Sequence, residues 1–567
     1  MSDVKRGQFD FTNFYFKRVR RIFPALAVTI LATSVAATII LLPQDLVDYG
    51  RSVIWASAFS SNMLFWRESG YFAPQSLIKP LQHTWSLGVE EQFYILLPVI
   101  VLIMINSIDK FRLFILGGLT IGSFALCIFT VYVAPNAGFF LLPPRMWELL
   151  LGAALAFSGW TAPARRWLAE AMSLIGLGLI AFGVFSLTDR DPYPAWNALY
   201  PCLGAALMIW AGTGATSTPA ANRLLSTTPM VAVGAISYSL YLVHWPIAAF
   251  ARYLALRGPT PLEAAMMIAA SFVLAWLSWR FIEQPVRQLG LSRKRHVLTA
   301  GFAMVVAGLV VGGAAIATQG LPARFPGYID RPIPGEEAWG GPRCFNRDDG
   351  LDAASWEATA CTRIHGRHGR ILLWGDSFAA QYTPGVIHDA QRIDADVLQY
   401  TFTGCPPLLD YFSYAHAKCG PHNRAVPDIV RQQHIDTVVM AGRWAGLPRA
   451  EVDQLGKTVA TLKALGVRVF VIGQSPQFPA DVRRLDYLSG SRMRPGLAYW
   501  PVTFDRSLNQ HLATLSAGAT FIDPLQTLCR PTDCPYRDGA TFYFLDYGHF
   551  SAAGSVRAVK AYFPAGR

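Results

Sequence analysis

Arg293-Lys294-Arg295-His296 runs directly into Val297–Thr318, VLTAGFAMVVAGLVVGGAAIAT, and this stretch divides the chain. Its second part is about twenty apolar, Gly- and Ala-rich residues, long enough to cross a bilayer as one helix. The basic cluster at its front keeps that end in the cytoplasm, so the chain leaves the membrane on the far side. Everything before it reads as membrane, and everything after it as a soluble, cysteine-bearing α/β domain. The expected division is a membrane domain over residues 1–318, a linker rich in Pro, Gly and charge over 319–338, and an extracytoplasmic domain over 339–567.

Working upstream, Lys17, Arg18, Arg20 and Arg21 precede the first apolar run and hold the N-terminus in the cytoplasm. Starting inside and ending outside requires an odd number of crossings. Nine are expected: Ile22–Leu42, Gln92–Asn106, Leu113–Val133, Met146–Gly159, Leu168–Leu187, Ala198–Ala211, Val231–Arg252, Leu262–Arg280 and Val297–Thr318. Val53–Trp66 is too short and polar to span easily, and reads as a re-entrant or surface helix. The chain is 52% hydrophobic and only 15% charged, which fits this division better than a soluble protein. A net charge of +12 raises nucleic acid as a partner. The basic residues instead sit between apolar runs, where membrane topology puts them, and no nucleic-acid partner is expected. Ile22–Leu42 is too long for a cleavable signal peptide.

Polar residues in or beside spans are costly and need a reason. The densest set is Gln82-His83-Thr84-Trp85-Ser86-Leu87-Gly88-Val89-Glu90-Glu91-Gln92-Phe93-Tyr94. Carboxylates opening an apolar helix favour its N-terminal dipole, which explains one Glu more easily than two beside a His and a Trp. Arg145 and Glu148 are spaced to meet on one helix face, as a structural ion pair or a functional one. Ser237–Pro246 places hydroxyls and His244 inside a span, and Arg280–Arg287 closes the next.

Together with Phe14–Pro24, these stretches resemble the acyltransferase-3 family of integral membrane acyltransferases. The pieces that carry the resemblance are Phe14–Pro24, Trp85–Tyr94, Arg145–Leu149, Ser237–Pro246 and Phe281–Arg287, in the family's order. The resemblance implies acyl-CoA, acetyl-CoA in the first instance, as cytoplasmic donor substrate with no bound cofactor. It implies a cell-surface polysaccharide or its lipid-linked precursor as acceptor. Arg18 and Arg21, an R-x-x-R pair, would contact the donor's phosphates, for which guanidinium geometry is suited. His83, Trp85, Glu90, Glu91, Arg145, Glu148 and His244 would complete the membrane site. Family members usually carry two more spans upstream, the first bearing the His regarded as catalytic. Met1 falls where the loop after the second would begin, so the resemblance implies an incomplete transfer channel, defective in glycan acylation, in the chain as written.

Downstream of the dividing stretch, Gly369–Trp374 is a short buried-strand pattern ending in Gly375-Asp376-Ser377. Asp436–Ala441 and Val467–Ile472 look like further parallel strands, and the helix-like segments between them argue for an open α/β sheet. In such sheets the active site lies at the carboxyl ends of the strands, where Ser377 falls. A serine nucleophile needs a base, and the base an orienting acceptor. Asp546-Tyr547-Gly548-His549 supplies both in one tight turn.

GDS at a strand end with D-x-x-H near the C-terminus resembles the SGNH (GDSL-like) hydrolase family. That resemblance implies Ser377 as nucleophile, His549 as base and Asp546 as its partner, with the Ser377 amide and Gly404 as oxyanion donors. The family's third block places an Asn two residues after a Gly. Gly442-Arg443-Trp444 has none, so the third donor is either missing or replaced by Arg443. The remaining histidines, His365, His368, His416, His422, His434 and His511, lack comparable context and are expected at the surface.

Six of eight cysteines follow residue 340, in close pairs: Cys344 and Cys361, Cys405 and Cys419, Cys529 and Cys534. Six cysteines allow fifteen connectivities, of which neighbour pairing closes the shortest loops. An even count beyond a membrane fits an oxidising compartment. No pair has the tight C-x-x-C spacing of a zinc site, so no metal is expected. A nine-span acyltransferase-3 half joined to an SGNH half looks like the bacterial O-acetyltransferases of lipopolysaccharide O-antigen and related glycans. The expected location is the bacterial inner membrane, with the C-terminal domain periplasmic or otherwise extracytoplasmic. The rival readings are a membrane-anchored carbohydrate esterase and a non-enzymatic glycan transporter, the latter disfavoured because transport needs no nucleophile.

Overall fold

In the computed structural model of the protein, the residues described are all except 1–9, 69–76, 106–108, 189–190, 216, 327, 329–338, 347–355, 413–417, 491–495, 502–505, 560–561 and 564–567. The chain forms two compact units, Met1–Arg324 and Phe325–Arg567. Most of the expected linker, and His416 with it, lies outside the described residues.

The first unit is helical. Its main helices are α1 (Phe11–Ile40), α2 (Pro43–Ser57), α3 (Ser61–Glu68), α4 (Thr84–Ile105), α5 (Asp109–Val133), α6 (Leu142–Ser158), α7 (Arg166–Ser186), α8 (Leu199–Gly212), α9 (Thr228–Ala255), α10 (Pro261–Ser278) and α11 (Lys294–Ala317). Large apolar side chains such as Leu31, Phe114, Ile121, Phe185 and Phe302 point outward. That is the reverse of a water-soluble bundle, and is what a lipid-facing surface requires. Among the described residues, eight helices are long and apolar enough to cross a membrane. The expected crossing Ala198–Ala211 corresponds to α8, which has only 14 residues. At 1.5 Å per residue it reaches about 21 Å, short of a hydrocarbon core of about 30 Å.

Two helices begin earlier than the apolar runs suggested. Asp10 caps α1 by accepting a hydrogen bond from the Asn13 amide, so Arg18 and Arg21 lie within the helix rather than ahead of it. α4 begins at Thr84, so Glu90 and Glu91 sit well inside it and the helix-dipole explanation for them fails. The re-entrant or surface segment is two helices, α2 and α3, and α2 is no surface element. Its Leu46, Tyr49 and Val53 are buried, and it packs along α11. A Cβ on Gly312 would meet the Gly50 carbonyl oxygen at 2.4 Å. Glycine in the α11 run thus serves close helix approach, as small residues do inside membranes.

The second unit is α/β. Its strands and principal helices are β1 (Phe345–Asn346), β2 (Thr362–Ile364), β3 (Arg370–Gly375), α12 (Ser377–Ala380), α13 (Thr383–Arg392), β4 (Asp396–Phe402), β5 (Thr437–Ala441), α14 (Gln454–Ala464), β6 (Arg468–Ile472), β7 (Leu497–Pro501), β8 (Thr520–Ile522), β9 (Asp533–Asp538), β10 (Thr541–Phe542) and α15 (Ala552–Ala558). The main sheet runs β1-β4-β3-β5-β6-β8, parallel throughout, and β2 pairs antiparallel with β4. β7, β9 and β10 form a small antiparallel sheet.

Leu372, Trp374, Val438, Met440, Val469 and Val471 enter one core. The alternate residues Ile371, Leu373, Val439, Ala441, Phe470 and Ile472 enter another. Both faces are therefore covered, which is why these strands read as unbroken apolar runs. Three disulfides join Cys344 to Cys361, Cys405 to Cys419 and Cys529 to Cys534.

Candidate active site

β3 ends at Gly375, with φ of 146°, where an added Cβ would lie 1.9 Å from the Ala441 carbonyl oxygen. Only glycine fits this sharp exit. It delivers Asp376 as the cap of α12 and Ser377 as its first residue, at the carboxyl edge of the sheet. Asp376 accepts from the Phe378 amide at 2.7 Å and the Arg443 amide at 2.9 Å, tying the turn to the end of β5. Burial pushes the Asp376 carboxyl up, against the pull of those two amides.

The Asp546–His549 turn meets this edge. His549 Nε2 lies 3.0 Å from Ser377 Oγ, and His549 Nδ1 lies 2.8 Å from Asp546 Oδ2. Asp546 also accepts from the Gly548 and His549 amides, each at 2.8 Å. Burial alone would raise the Asp546 carboxyl. The facing imidazole and these hydrogen bonds overcome it and hold the group below its ordinary value. An ionised Asp546 fixes the Nδ1–H tautomer, so that Nε2 is the nitrogen that takes the Ser377 proton. Gln381 braces the turn by accepting from the Phe550 amide at 2.7 Å.

Gly404 follows β4, the neighbour of β3, with φ of 71°, directly before the Cys405–Cys419 bridge. Among the described residues, neither the Ser377 nor the Gly404 amide is spent on another acceptor. Both remain available to an oxyanion. The Arg443 amide is committed to Asp376, which leaves the guanidinium as its only candidate donor; that group lies 5.6 Å over the Tyr547 ring. Burial raises the Tyr547 hydroxyl to about 12, so it stays neutral beside the site.

Of the remaining histidines, His422 is not at the surface. It is buried and stacked on Tyr400 at 3.9 Å, where desolvation lowers it to about 3. Its place under β4 has no local sequence signal. His365, His368 and His434 are exposed, and His511 is half-buried against Asp453. The aromatic surround of His549, Phe378 and Trp339 above all, was not anticipated from sequence.

In the helical unit the expected residues separate into groups. Arg18 binds Glu91 and lies 3.3 Å over Tyr94, while Arg21 and Glu90 are exposed. Arg145 grips Glu148 through two 3.0 Å bonds and sits 5.1 Å over Trp85. His83 and His244 face one another at 5.8 Å, with the Tyr241 hydroxyl donating to the His83 carbonyl. A cavity of about 720 Å³ between α1 and α11 is lined by none of these side chains.

Comparison with known proteins finds a family match within each unit. A family model described as an acyltransferase domain matches residues 4–280, and one described as an SGNH domain fused to AT3 domains matches 343–564. O-acetyltransferase OatA of Staphylococcus aureus strain NCTC 8325 is 28% identical over 305 residues, 52% of this chain and 50% of that protein. A putative O-acetyltransferase of S. aureus strain COL is 28% identical over 293 residues, 49% of this chain and 48% of that one. The chain thus spans about half the length of the curated relatives it matches. The periplasmic domain of a lipopolysaccharide acetyltransferase from Salmonella ser. Paratyphi A is 21% identical, with a TM-score of 0.33, and the match covers 39% of this chain and 90% of that one. The chain carries an acyltransferase-3 domain in its first half and an SGNH domain in its second.

Proposed function

We propose that the protein is an O-acyltransferase that moves an acyl group, acetyl in the first instance, from cytoplasmic acyl-CoA across the inner membrane to a hydroxyl of a cell-surface polysaccharide. The observation that carries this reading is the buried Ser377–His549–Asp546 chain, held in a unit fused to a lipid-facing helical one. The relatives' O-acetyltransferase names support the same activity.

Ser377 Oγ attacks the acyl carbonyl as His549 Nε2 takes its proton, and the oxyanion draws on the Ser377 and Gly404 amides. The leaving group departs with that proton, and the acyl group stays as an ester on Ser377. A sugar hydroxyl then gives its proton to His549 and attacks the ester. The new ester leaves on the sugar, and the proton returns to Ser377. Donor capture belongs to the helical unit, where the Arg18–Glu91 pair, with exposed Arg21 nearby in sequence, supplies guanidinium charge suited to phosphates.

Mass spectrometry of surface glycans from cells with and without the gene tests the reading. Loss of an O-acyl group with the gene supports it, and identical glycans contradict it. A phosphatase fused after residue 330 reports the side: an active fusion supports an extracytoplasmic SGNH domain, and a silent one reverses the topology.

A further inference from the structure

The imidazole of His549 is enclosed by aromatic rings. Phe378 lies at 4.5 Å between centroids, Trp339 at 5.4 Å and Tyr547 at 6.1 Å. Trp339 differs from the other two in origin. Phe378 and Tyr547 adjoin catalytic residues in sequence, whereas Trp339 precedes the sheet and reaches the site from outside the catalytic loops.

Its position is strongly determined. Gln399 on β4 donates to the Trp339 carbonyl, and the same amide group donates to Thr401 at 2.9 Å. Thr401 in turn donates to the Cys344 carbonyl at 3.0 Å, and Cys344 is bridged to Cys361. Phe345, on the edge strand β1, packs against the indole at 6.0 Å. Trp339 is 1% exposed, and Ser377, His549 and Asp546 are 5%, 3% and 7% exposed. The indole N–H is buried without an acceptor among the described residues.

A serine acyl-enzyme has two fates. Water activated by His549 releases the free acid, and a sugar hydroxyl activated by the same nitrogen accepts the acyl group. A transferase must suppress the first without disabling the base that both share. We infer that Trp339 is the residue that does so: a positioning residue whose ring covers the His549 imidazole, keeps it dry, and biases the Ser377 ester toward the sugar alcohol over water. This deepens the acyl-enzyme reading above and rests on it. Water is thereby excluded from the closed site, which also strengthens the electrostatic contacts within it.

The test uses the full chain in detergent, with 4-nitrophenyl acetate as acyl donor and methyl α-D-glucopyranoside as acceptor probe. Nitrophenol release gives total turnover, and mass spectrometry gives acetylated glucoside against acetate. Trp339→Ala and the bulkier ring-free Trp339→Leu should each lower the transfer-to-hydrolysis ratio about tenfold or more, while Trp339→Phe keeps it within about threefold of the native value. Nitrophenol release should persist in the ring-free variants, since the triad is intact. An unchanged ratio in either ring-free variant overturns the inference, as does an equal fall in both products or a loss in Trp339→Phe as large as in Trp339→Ala. Ser377→Ala separates the two levels. If it forms both products at the native rate, the acyl-enzyme reading fails; if it is inactive while the Trp339 ratios stay unchanged, only the role of Trp339 fails.

Discussion

The helical and α/β units contain similar polar residue types but arrange them differently. In the α/β unit, residues distant in sequence converge on one linear chain, from Ser377 through His549 to Asp546, with its donors and braces at hand. In the helical unit the polar residues lie in separate groups: Arg18 with Glu91, Arg145 with Glu148, and His83 with His244. A nucleophilic site declares its roles by geometry, because proton transfer needs contact between each pair of partners. A site that holds a charged donor can be spread along several helices. Buried charges there need partners for solvation reasons alone, so pairing by itself does not reveal a role.

The most drastic way to break this contrast is Ser377→Ala. Removing the proposed nucleophile should lower acyl transfer by several orders of magnitude while membrane insertion, followed by fractionation, is unchanged. Asp546→Asn should follow at about 10⁴-fold, through loss of the productive imidazole tautomer. A pH titration sharpens the same point. The Asp546 carboxyl is held below its ordinary value, so its contribution to stability is present above about pH 4 and is lost as pH falls through the depressed folded value. Asp376 is raised and has the opposite sign, losing stability as pH rises through its ionisation. Thermal melts between pH 2 and about pH 5 should therefore show a weaker acid transition in Asp546→Asn than in the native chain.

Arg18→Ala should lower transfer from acyl-CoA about tenfold or more, and Arg18→Lys should fail to restore it, because a lysine lacks the planar fork. Restoration by lysine would mean that charge alone matters there, the topogenic role that basic residues have in any membrane protein. The smallest effect concerns the bridge beside Gly404. Cys405→Ser should destabilise the α/β unit by about 3 kcal/mol, the scale for a loop of about fifteen residues, measured by denaturant melts. Non-reducing peptide mapping of the native chain should recover Cys405 joined to Cys419.

Much of the α/β unit was legible because local rules and tertiary structure agree. Ile371–Gly375, Val438–Ala441 and Val469–Ile472 are apolar on both faces because both faces are covered. The GDS turn and the D-x-x-H turn were legible because a hydrogen-bonded Ser–His–Asp chain needs those residue types at those spacings. The Trp339 contact with His549 was not, since nothing local to residue 339 points to a partner so far along the chain. His422 was misread for a related reason: its stacking on Tyr400 is a tertiary contact without a periodic signal. In the helical unit the apolar runs located the helices but not their starts. Arg18 and Glu91 look like flanking charge until they are seen paired inside α1 and α4.

An acyl group that passes through Ser377 can be trapped there as an ester. The full chain in detergent is supplied with isotopically labelled 4-nitrophenyl acetate, quenched in acid, and digested for peptide mass spectrometry. A labelled acetyl ester is expected on the Ser377 peptide, absent in Ser377→Ala and discharged when an acceptor glycan is added. Labelled glycan formed at the native rate by Ser377→Ala, with no acetyl ester on the native Ser377 peptide, would contradict passage through Ser377.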